Sequence, residues 1–182
     1  MDYSRYFKDY YKSIYNLLDE LDVHLINKSV DLIKKIKKRN NKIYIIGNGG
    51  SASIASHVSV DFSKVARVPS ATFNNSNLIT CFANDYKYEN WVKEAIKAYC
   101  DQNDLIILIS SSGVSKNIIK AANYCKDNKI KLITLSGFKP NNSLSKLGNI
   151  NFHIKSTNYN FIEMSHHIIL LSIVDIFAKK LF

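Results

Sequence analysis

One stretch constrains the fold most: residues 42–53, which read Lys-Ile-Tyr-Ile-Ile-Gly-Asn-Gly-Gly-Ser-Ala-Ser. A short apolar run ends abruptly in a glycine-rich turn, and a helical pattern that carries His57 and Asp61 follows at once. This order predicts a buried strand, a tight turn and the start of a helix. Glycines let the backbone approach a ligand closely, and a helix start offers free N–H groups and a positive dipole end. The stretch therefore predicts an anion-binding unit.

Strands and helices alternate along the rest of the chain. Apolar residues at three- and four-residue steps predict helix over 2–39, with a break near Leu21-Asp22 that makes two helices. The strands are predicted at 43–46, 70–74, 104–110, 131–136 and 150–154. The later helices are predicted at 51–65, 78–82, 91–99, 115–126, 142–147 and 161–182, with a loop at 84–86. This alternation indicates an α/β domain with a mainly parallel sheet and right-handed crossovers. We expect a single domain over 1–182, with N-terminal helices at 1–39 and an α/β core at 40–182.

Composition excludes several classes of protein. An apolar content of 46% over 182 residues excludes a disordered chain. No uninterrupted apolar run reaches the ~18–20 residues of a membrane helix, and the N-terminus does not resemble a signal peptide, so we expect a cytoplasmic protein without a membrane partner. Cys81, Cys100 and Cys125 lack metal or redox spacing and are predicted to be reduced core thiols.

The net charge of +10 allows either nucleic acid or a small anion as a partner. The charge is diffuse apart from Lys34–Arg39, a run that is typical of a solvated helix end, where lysines suit the dipole. A diffuse basic surface favours an anionic metabolite over nucleic acid.

A second strand end carries unusual chemistry. Ser110, Ser111, Ser112 and Ser115 place four hydroxyls within six residues at a strand-to-helix junction. Ligands of open parallel sheets bind at the carboxyl ends of strands, and hydroxyls together with helix N–H groups hold a phosphate without a lysine. One serine would suffice for the alternative, a plain N-cap. The four hydroxyls favour a phosphate site.

Titratable side chains occur on two predicted helices. His57 and Asp61 share a helix face at a spacing of four residues, and His167 follows Glu163 at the same spacing, with His166 beside it. Each group has a structural alternative, because a lone histidine is often a satisfied core residue. Together they predict either a divalent-metal site or an acid–base pair.

The combined motifs resemble those of the SIS (sugar isomerase) domain family. The matching segments are Gly-Asn-Gly-Gly-Ser-Ala at 47–52 with His57, Ala-Asn-Asp-Tyr-x-Tyr at 83–88, and Ile-Ser-Ser-Ser-Gly-x-Ser at 109–115. Within that family the chain is similar to the phosphoheptose isomerase group. The resemblance implies a three-layer α/β/α sandwich with a five-stranded, flavodoxin-like parallel sheet, an N-terminal helical extension and a homotetramer.

The resemblance also implies an activity, the isomerisation of sedoheptulose 7-phosphate to D-glycero-D-manno-heptose 7-phosphate for surface heptose in lipopolysaccharide or capsule. The implied phosphate ligands are Ser110, Ser111, Ser112 and Ser115. The other implied substrate-binding residues are Asn48, Gly49, Gly50, Ser51, Asn84 and Asp85.

The family's metal set of His, Glu, Gln and His matches His57, Asp61, Glu163 and Leu171. The resemblance thus implies a zinc ion held by His57, Asp61 and Glu163, which would stabilise an oxyanion. Asp61 or Glu163 would act as the base, and His166 or His167 as the acid.

Leu171 departs from the family pattern at the second catalytic histidine, and leucine neither binds a metal nor transfers a proton. This departure supports a second hypothesis, a non-catalytic SIS module that binds phosphosugar or regulates a partner.

Overall fold

The computed structural model describes residues 2–178, in which five strands form one parallel sheet. The strands are β1 (Ile43–Gly47), β2 (Ser70–Ala71), β3 (Leu105–Ser110), β4 (Lys131–Ser136) and β5 (Ile150–His153). Their order in the sheet is β2-β1-β3-β4-β5, and every neighbouring pair is parallel. The five-stranded parallel sheet predicted from the sequence is confirmed.

Helices connect the strands and cover both faces of the sheet. They are α1 (Ser4–Asp19), α2 (Val23–Lys38), α3 (Gly50–Lys64), α4 (Ser76–Tyr86), α5 (Trp91–Tyr99), α6 (Lys116–Asp127) and α7 (Tyr159–Phe177). A 3₁₀ turn spans Leu144–Lys146. The last four residues of the helix predicted at 161–182 lie outside the described residues.

Two apolar clusters, one on each face of the sheet, form the core. Along β1, Ile43 and Ile45 belong to the cluster with α2, α3 and α7, whereas Tyr44 and Ile46 belong to the cluster with α5 and α6. Every residue of β1 and β3 is buried. Strands that are buried on both sides are apolar throughout, as parallel strands generally are. The predicted three-layer α/β/α sandwich is therefore confirmed.

The N-terminal helices break where the sequence predicts. The Asp22 side chain caps α2 by accepting from the N–H of His24 at 2.9 Å, and α2 ends in a basic turn with Lys35, Lys37 and Lys38. Helix α1 packs against α7 and contains no buried residue. Its aromatic side chains are largely exposed in the single chain.

Helix α7 is long and apolar enough, by length and composition, to cross a membrane, with a mean hydropathy of 1.3. Glu163, His166 and His167 interrupt its apolar sequence, so the helix contains no uninterrupted apolar run of that length. In this structure α7 packs on α3, and residues such as Ile169 and Ile173 lie in the core. The helix therefore packs as a core element of the α/β fold.

Several sequence expectations about the fold are wrong. The strand predicted at 70–74 spans only Ser70–Ala71, and the helix predicted at 142–147 is only the 3₁₀ turn at Leu144–Lys146. The loop predicted at 84–86 is the last turn of α4, which is longer than expected because Asn75 caps it and its apolar face packs on the α5–α6 side. Cys81 is exposed and is not a core thiol, and Cys100 is only partly buried. Cys125 is buried as expected, and burial raises its pKa to about 12.

Candidate active site

The glycine turn joins β1 to α3 at the carboxyl edge of the sheet. Gly49 adopts φ +55° and ψ −124°, a conformation that a residue with a Cβ adopts only under strain. Beside it, the Asn74 side chain accepts from the N–H of Gly47 at 3.2 Å and donates to the Gly47 carbonyl at 2.8 Å. Strand β2 has already ended at Ala71, so the Asn74 amide pairs with the end of β1 as a neighbouring strand would.

A pair of amides fixes Asn48. Its Nδ2 donates to Asn117 Oδ1 at 3.0 Å, and Asn117 Nδ2 donates back to Asn48 Oδ1 at 2.9 Å. The Tyr88 hydroxyl also donates to Asn48 Oδ1 at 3.3 Å. Asn117 is buried in the first turn of α6. The predicted substrate residue Asn48 is thus held in one orientation before any ligand binds.

The predicted phosphate residues line one small cavity, which we call the serine-loop cavity. Its volume is about 130 Å³, and its lining is Asn48, Ser51, Ile109, Ser110, Ser111, Ser112, Ser115, Tyr159 and Glu163. Ser110 Oγ donates to Ser115 Oγ at 3.1 Å. Ser111 Oγ is buried and has no hydrogen-bond partner among the described residues. A buried unpaired hydroxyl costs free energy, so this atom is suited to a polar ligand.

A larger space adjoins the serine-loop cavity and shares Asn48 and Ser115 with it. This outer cavity has a volume of about 540 Å³ and is also lined by Lys87, Tyr88, Glu89, Lys116 and Asn117. The Lys120 ammonium holds the pKa of Glu89 below its usual value.

Asn84 and Asp85 line neither of these cavities. Both are exposed on α4, where Asn84 Nδ2 donates to Asp85 Oδ1 at 3.0 Å. The structure instead brings Tyr88, which closes the same motif, to Asn48. Sequence reasoning named Tyr88 only as part of that motif and missed Asn74 and Asn117. Asn117 lies only two residues after Ser115, so its position beside the serine loop was the available signal.

Glu163 of α7 meets the start of α3. A Cβ on Gly50 would overlap the Glu163 carboxylate, at 2.7 Å from Cδ and 2.8 Å from Oε1. The carboxylate therefore occupies the space that the glycine leaves open. There it faces the positive end of the α3 dipole and forms part of the cavity wall. A glycine in the turn and an acid 113 positions later thus form one unit.

A second cluster joins the same two helices further along. His57 Nδ1 lies 2.9 Å from His167 Nε2, and His57 Nε2 lies 3.4 Å from Asp61 Oδ2. With Asp61 ionised, the favoured tautomer of His57 carries its proton on Nε2, so Nδ1 accepts from the N–H of His167. Burial and the neighbouring His57 lower the pKa of His167, and Asp61 offsets part of that shift.

His166, the residue before His167, does not join this cluster. His166 is fully buried, and its Nε2 lies 3.2 Å from the Ser136 carbonyl oxygen and not at the His57 ring. Burial lowers the pKa of His166 to about 4, although the hydrogen bond to Ser136 opposes the shift. A histidine that is neutral at pH 7 and sealed in the core does not serve as a protonated acid. Of the two candidate acids, the structure brings only His167 to His57 and Asp61.

The residues do not fit the zinc set implied by the resemblance. No group of three histidine, cysteine, aspartate or glutamate side chains in residues 2–178 is arranged to hold a metal ion. Both ring nitrogens of His57 face other side chains, and Glu163 lies at Gly50, roughly one helical turn before His167 on α7. Leu171 packs against the core cluster.

Comparison with known proteins places this fold and site in a family. A family model for the SIS domain matches residues 6–137. The chain belongs to the SIS domain family.

Within that family it falls in the phosphoheptose isomerase group. It is 34% identical over 173 residues to phosphoheptose isomerase 2 of Campylobacter jejuni, and the match covers 91% of this chain and 85% of the relative. Two solved phosphoheptose isomerase structures share the fold. The one from Francisella tularensis has a TM-score of 0.85 at 22% identity and covers 99% of this chain and 100% of that chain. The one from Neisseria gonorrhoeae has a TM-score of 0.87 at 18% identity, with coverage of 98% and 100%.

Proposed function

We propose that this chain is a phosphosugar aldose–ketose isomerase that converts sedoheptulose 7-phosphate to D-glycero-D-manno-heptose 7-phosphate, a step toward surface heptose. One observation carries the proposal. Ser111, whose buried hydroxyl has no hydrogen-bond partner among the described residues, and Glu163 line the same small cavity. A phosphate group needs hydrogen-bond donors, and isomerisation needs a base near the carbonyl carbons. The names of the relatives agree with this chemistry.

In the proposed complex the phosphate binds to the serine loop. The hydroxyls of Ser110, Ser111, Ser112 and Ser115 and the first N–H groups of α6 donate to its oxygens. Lys87 and Lys116, which line the adjoining outer cavity, attract the anion. Asn48, Gly49, Gly50 and Ser51 then face the sugar.

Glu163 is the proposed base. Of the two carboxylates considered from the sequence, Glu163 lines the cavity, whereas Asp61 lies outside it and faces His57. The carboxylate removes a proton from C1 of the ketose, and the C1–C2 double bond of an enediol forms. Return of a proton to C2 gives the aldose, so the reaction is balanced without an external oxidant or reductant.

His167 is the proposed acid for the oxygen atoms. Like Asp61 it does not line the serine-loop cavity itself, so this role requires the sugar to extend from the cavity toward the His57–His167 pair. His167 follows Glu163 by four residues, so the two side chains lie about 6 Å apart along the axis of α7. A neutral His167 moves a proton between the two sugar oxygens, and His57 and Asp61 hold its ring in place. These steps use protein groups alone.

Proton exchange with solvent tests the assignment. Sedoheptulose 7-phosphate is incubated with the protein in D₂O, and NMR follows both the aldose product and deuterium at C1 and C2. We expect product and deuterium with the wild type, and a loss of both by at least ~10²-fold in Glu163→Gln, which keeps the shape of the side chain. Asp61→Asn, the matched carboxylate-to-amide change outside the cavity, loses less. Full activity in Glu163→Gln contradicts the proposed base.

Leu171 favours a second candidate function. Its side chain packs into the apolar cluster where the family pattern has a histidine, which is the arrangement expected of a non-catalytic phosphosugar-binding or regulatory module. Tight binding of sedoheptulose 7-phosphate to the wild type, without product or deuterium exchange, would establish this alternative.

Four further predictions from the sequence extend the proposal. They are a single SIS domain over 1–182, a homotetramer, a cytoplasmic location and a phosphosugar rather than a nucleic acid or membrane as partner. Light scattering of the purified protein tests the tetramer, and metal analysis tests the zinc ion that the donor set does not fit.

A further inference from the structure

We propose that Asn142 is a positioning residue that holds the serine loop in its phosphate-binding shape. The inference rests on the proposed function, because it assigns the phosphate to the serine loop. Asn142 lies in the connection between β4 and the 3₁₀ turn, outside every motif singled out in the sequence.

The Asn142 side chain forms hydrogen bonds along the connection between β4 and the 3₁₀ turn. The side chain is 4% exposed. Its Nδ2 lies 3.1 Å from Ser136 Oγ, 3.1 Å from the Gly137 carbonyl oxygen and 2.9 Å from the Lys139 carbonyl oxygen. Its Oδ1 accepts from the N–H of Ser145 at 3.0 Å. One buried amide therefore joins the end of β4 to the start of the 3₁₀ turn.

The connection braced by Asn142 holds the serine loop by two backbone hydrogen bonds. The N–H of Gly137 donates to the Ser111 carbonyl at 2.9 Å, and the N–H of Leu144 donates to the Gly113 carbonyl at 3.0 Å. These two donors flank Asn142 in the chain. The positions of these two N–H groups depend on the end of β4 and the start of the 3₁₀ turn, which the Asn142 amide joins.

Asn142 also touches the serine loop directly. A Cβ on Gly113 would overlap the Asn142 side chain, at 2.7 Å from Nδ2. Gly113 itself adopts φ +68°, a conformation that favours glycine. The backbone of the serine loop therefore packs directly against the Asn142 amide at Gly113.

The consequence concerns binding. The serine loop is already ordered around the unpaired Ser111 hydroxyl, so the phosphate does not have to order the loop when it binds. Without the Asn142 amide, the loop must become ordered when phosphate binds, and this lowers the free energy gained on binding. Because the phosphate is bound equally in the ground state and the transition state, KM rises while kcat stays nearly constant.

Asn142→Ala tests the inference, with Asn151→Ala as the matched control. The Asn151 amide braces the loop before β5 in a similar way, because Oδ1 accepts from Thr134 Oγ1 at 2.7 Å and from the N–H of Gly148 at 2.9 Å, and Nδ2 donates to the Gly148 carbonyl at 2.9 Å. Its side-chain hydrogen bonds within the described part of the chain do not reach the serine loop. Both variants lose a bracing amide, but only Asn142→Ala loses the one beside the proposed phosphate.

The measurements are KM and kcat for sedoheptulose 7-phosphate, the dissociation constant for inorganic phosphate by calorimetry, and hydrogen exchange of residues 110–116. For Asn142→Ala we expect KM and the phosphate dissociation constant to rise about tenfold, kcat to change less than twofold and exchange in the loop to accelerate. For Asn151→Ala we expect all of these to match the wild type.

Equal phosphate affinity and equal loop exchange in the two variants overturn the inference, as does a fall in kcat at constant KM. If Asn142→Ala does not fold, Asn142→Leu replaces it, because leucine roughly keeps the volume and removes the amide without adding a charge beside the phosphate. If the wild type binds phosphate but does not isomerise the sugar, the proposed function fails while the phosphate comparison still decides the role of Asn142. If the wild type binds no phosphate, both are wrong.

Discussion

Gly50→Ala separates the chemistry of this site from the stability of the fold. Gly50 opens α3 and is not in the left-handed region of backbone conformation, so alanine fits the backbone. The added Cβ would lie 2.7 Å from Glu163 Cδ, whereas an ordinary carbon–carbon contact is about 3.5 Å or longer. The carboxylate must therefore move by about 1 Å.

The expected effects on activity and stability differ. A displacement of about 1 Å of a reacting group costs ~10²-fold in rate, so kcat should fall by that order. The free energy of unfolding should change by less than about 1 kcal/mol, because alanine is the better helix former and the end of the Glu163 side chain is free to turn aside. The variant should be folded, able to bind phosphate and nearly inactive.

The assay compares kcat, the dissociation constant for phosphate and the midpoint of urea unfolding. Ser53→Ala is the control, because Ser53 is exposed in the first turn of α3 and no hydrogen bond or ion pair joins it to Glu163 among the described residues. Its kcat should equal that of the wild type. In Gly50→Ala with Glu163→Asp, the shorter acid leaves room for the Cβ, so the two losses should not add. Wild-type kcat in Gly50→Ala, or a loss of kcat that follows a loss of stability, would refute the placement of Glu163 as the base.

Two further predictions concern buried polar groups. Ser111→Ala should raise the dissociation constant for phosphate about tenfold, as measured by calorimetry. Because it removes an unpaired buried hydroxyl, the free energy of unfolding, measured with urea, should stay unchanged or rise slightly. Unaltered phosphate affinity would count against the serine-loop site. His166, whose pKa burial lowers to about 4, stays neutral in the folded chain, while the unfolded chain takes up a proton below about pH 6.5. The free energy of unfolding therefore contains the full stabilisation from the neutral His166 above pH 6.5. This stabilisation declines as the pH falls toward 4, by about 3 kcal/mol in all. Urea unfolding from pH 7.5 to 4.5 should show a shallower decline in His166→Gln than in the wild type; parallel declines in the two proteins would mean that His166 is not the source.

Much of the fold was predictable because local patterns specify it. The apolar run at 43–46 and the serine-terminated run at 104–110 form the adjacent strands β1 and β3, as expected of strands buried on both faces. The end of α4 was not predictable from its own residues. Asn84 and Asp85 are polar and suit a loop, but the apolar residues before them pack on α5 and α6 and carry the helix through to Tyr86.

The sequence predicted which residues belong to the site better than it predicted which of them contact one another. The four serines, Asn48 and the two histidine–carboxylate helices were all visible in the sequence. Spacing along one helix shows which side chains share a face, so the pairing of His57 with Asp61 was available. No local pattern shows which of two adjacent histidines faces the partner helix.

What the sequence by itself determined is the alternation of elements, the glycine turn and the hydroxyl-rich end of β3, because each depends on contacts between near neighbours. Tertiary structure decided which groups meet. Packing of α7 on α3 places Glu163 at Gly50 and pairs His167 with His57, 110 positions earlier. Successive helical residues point about 100° apart, so the same packing turns His166 into the core. It also packs the partly buried Leu171 against the core, and a histidine pair forms where the sequence predicted either a metal site or an acid–base pair.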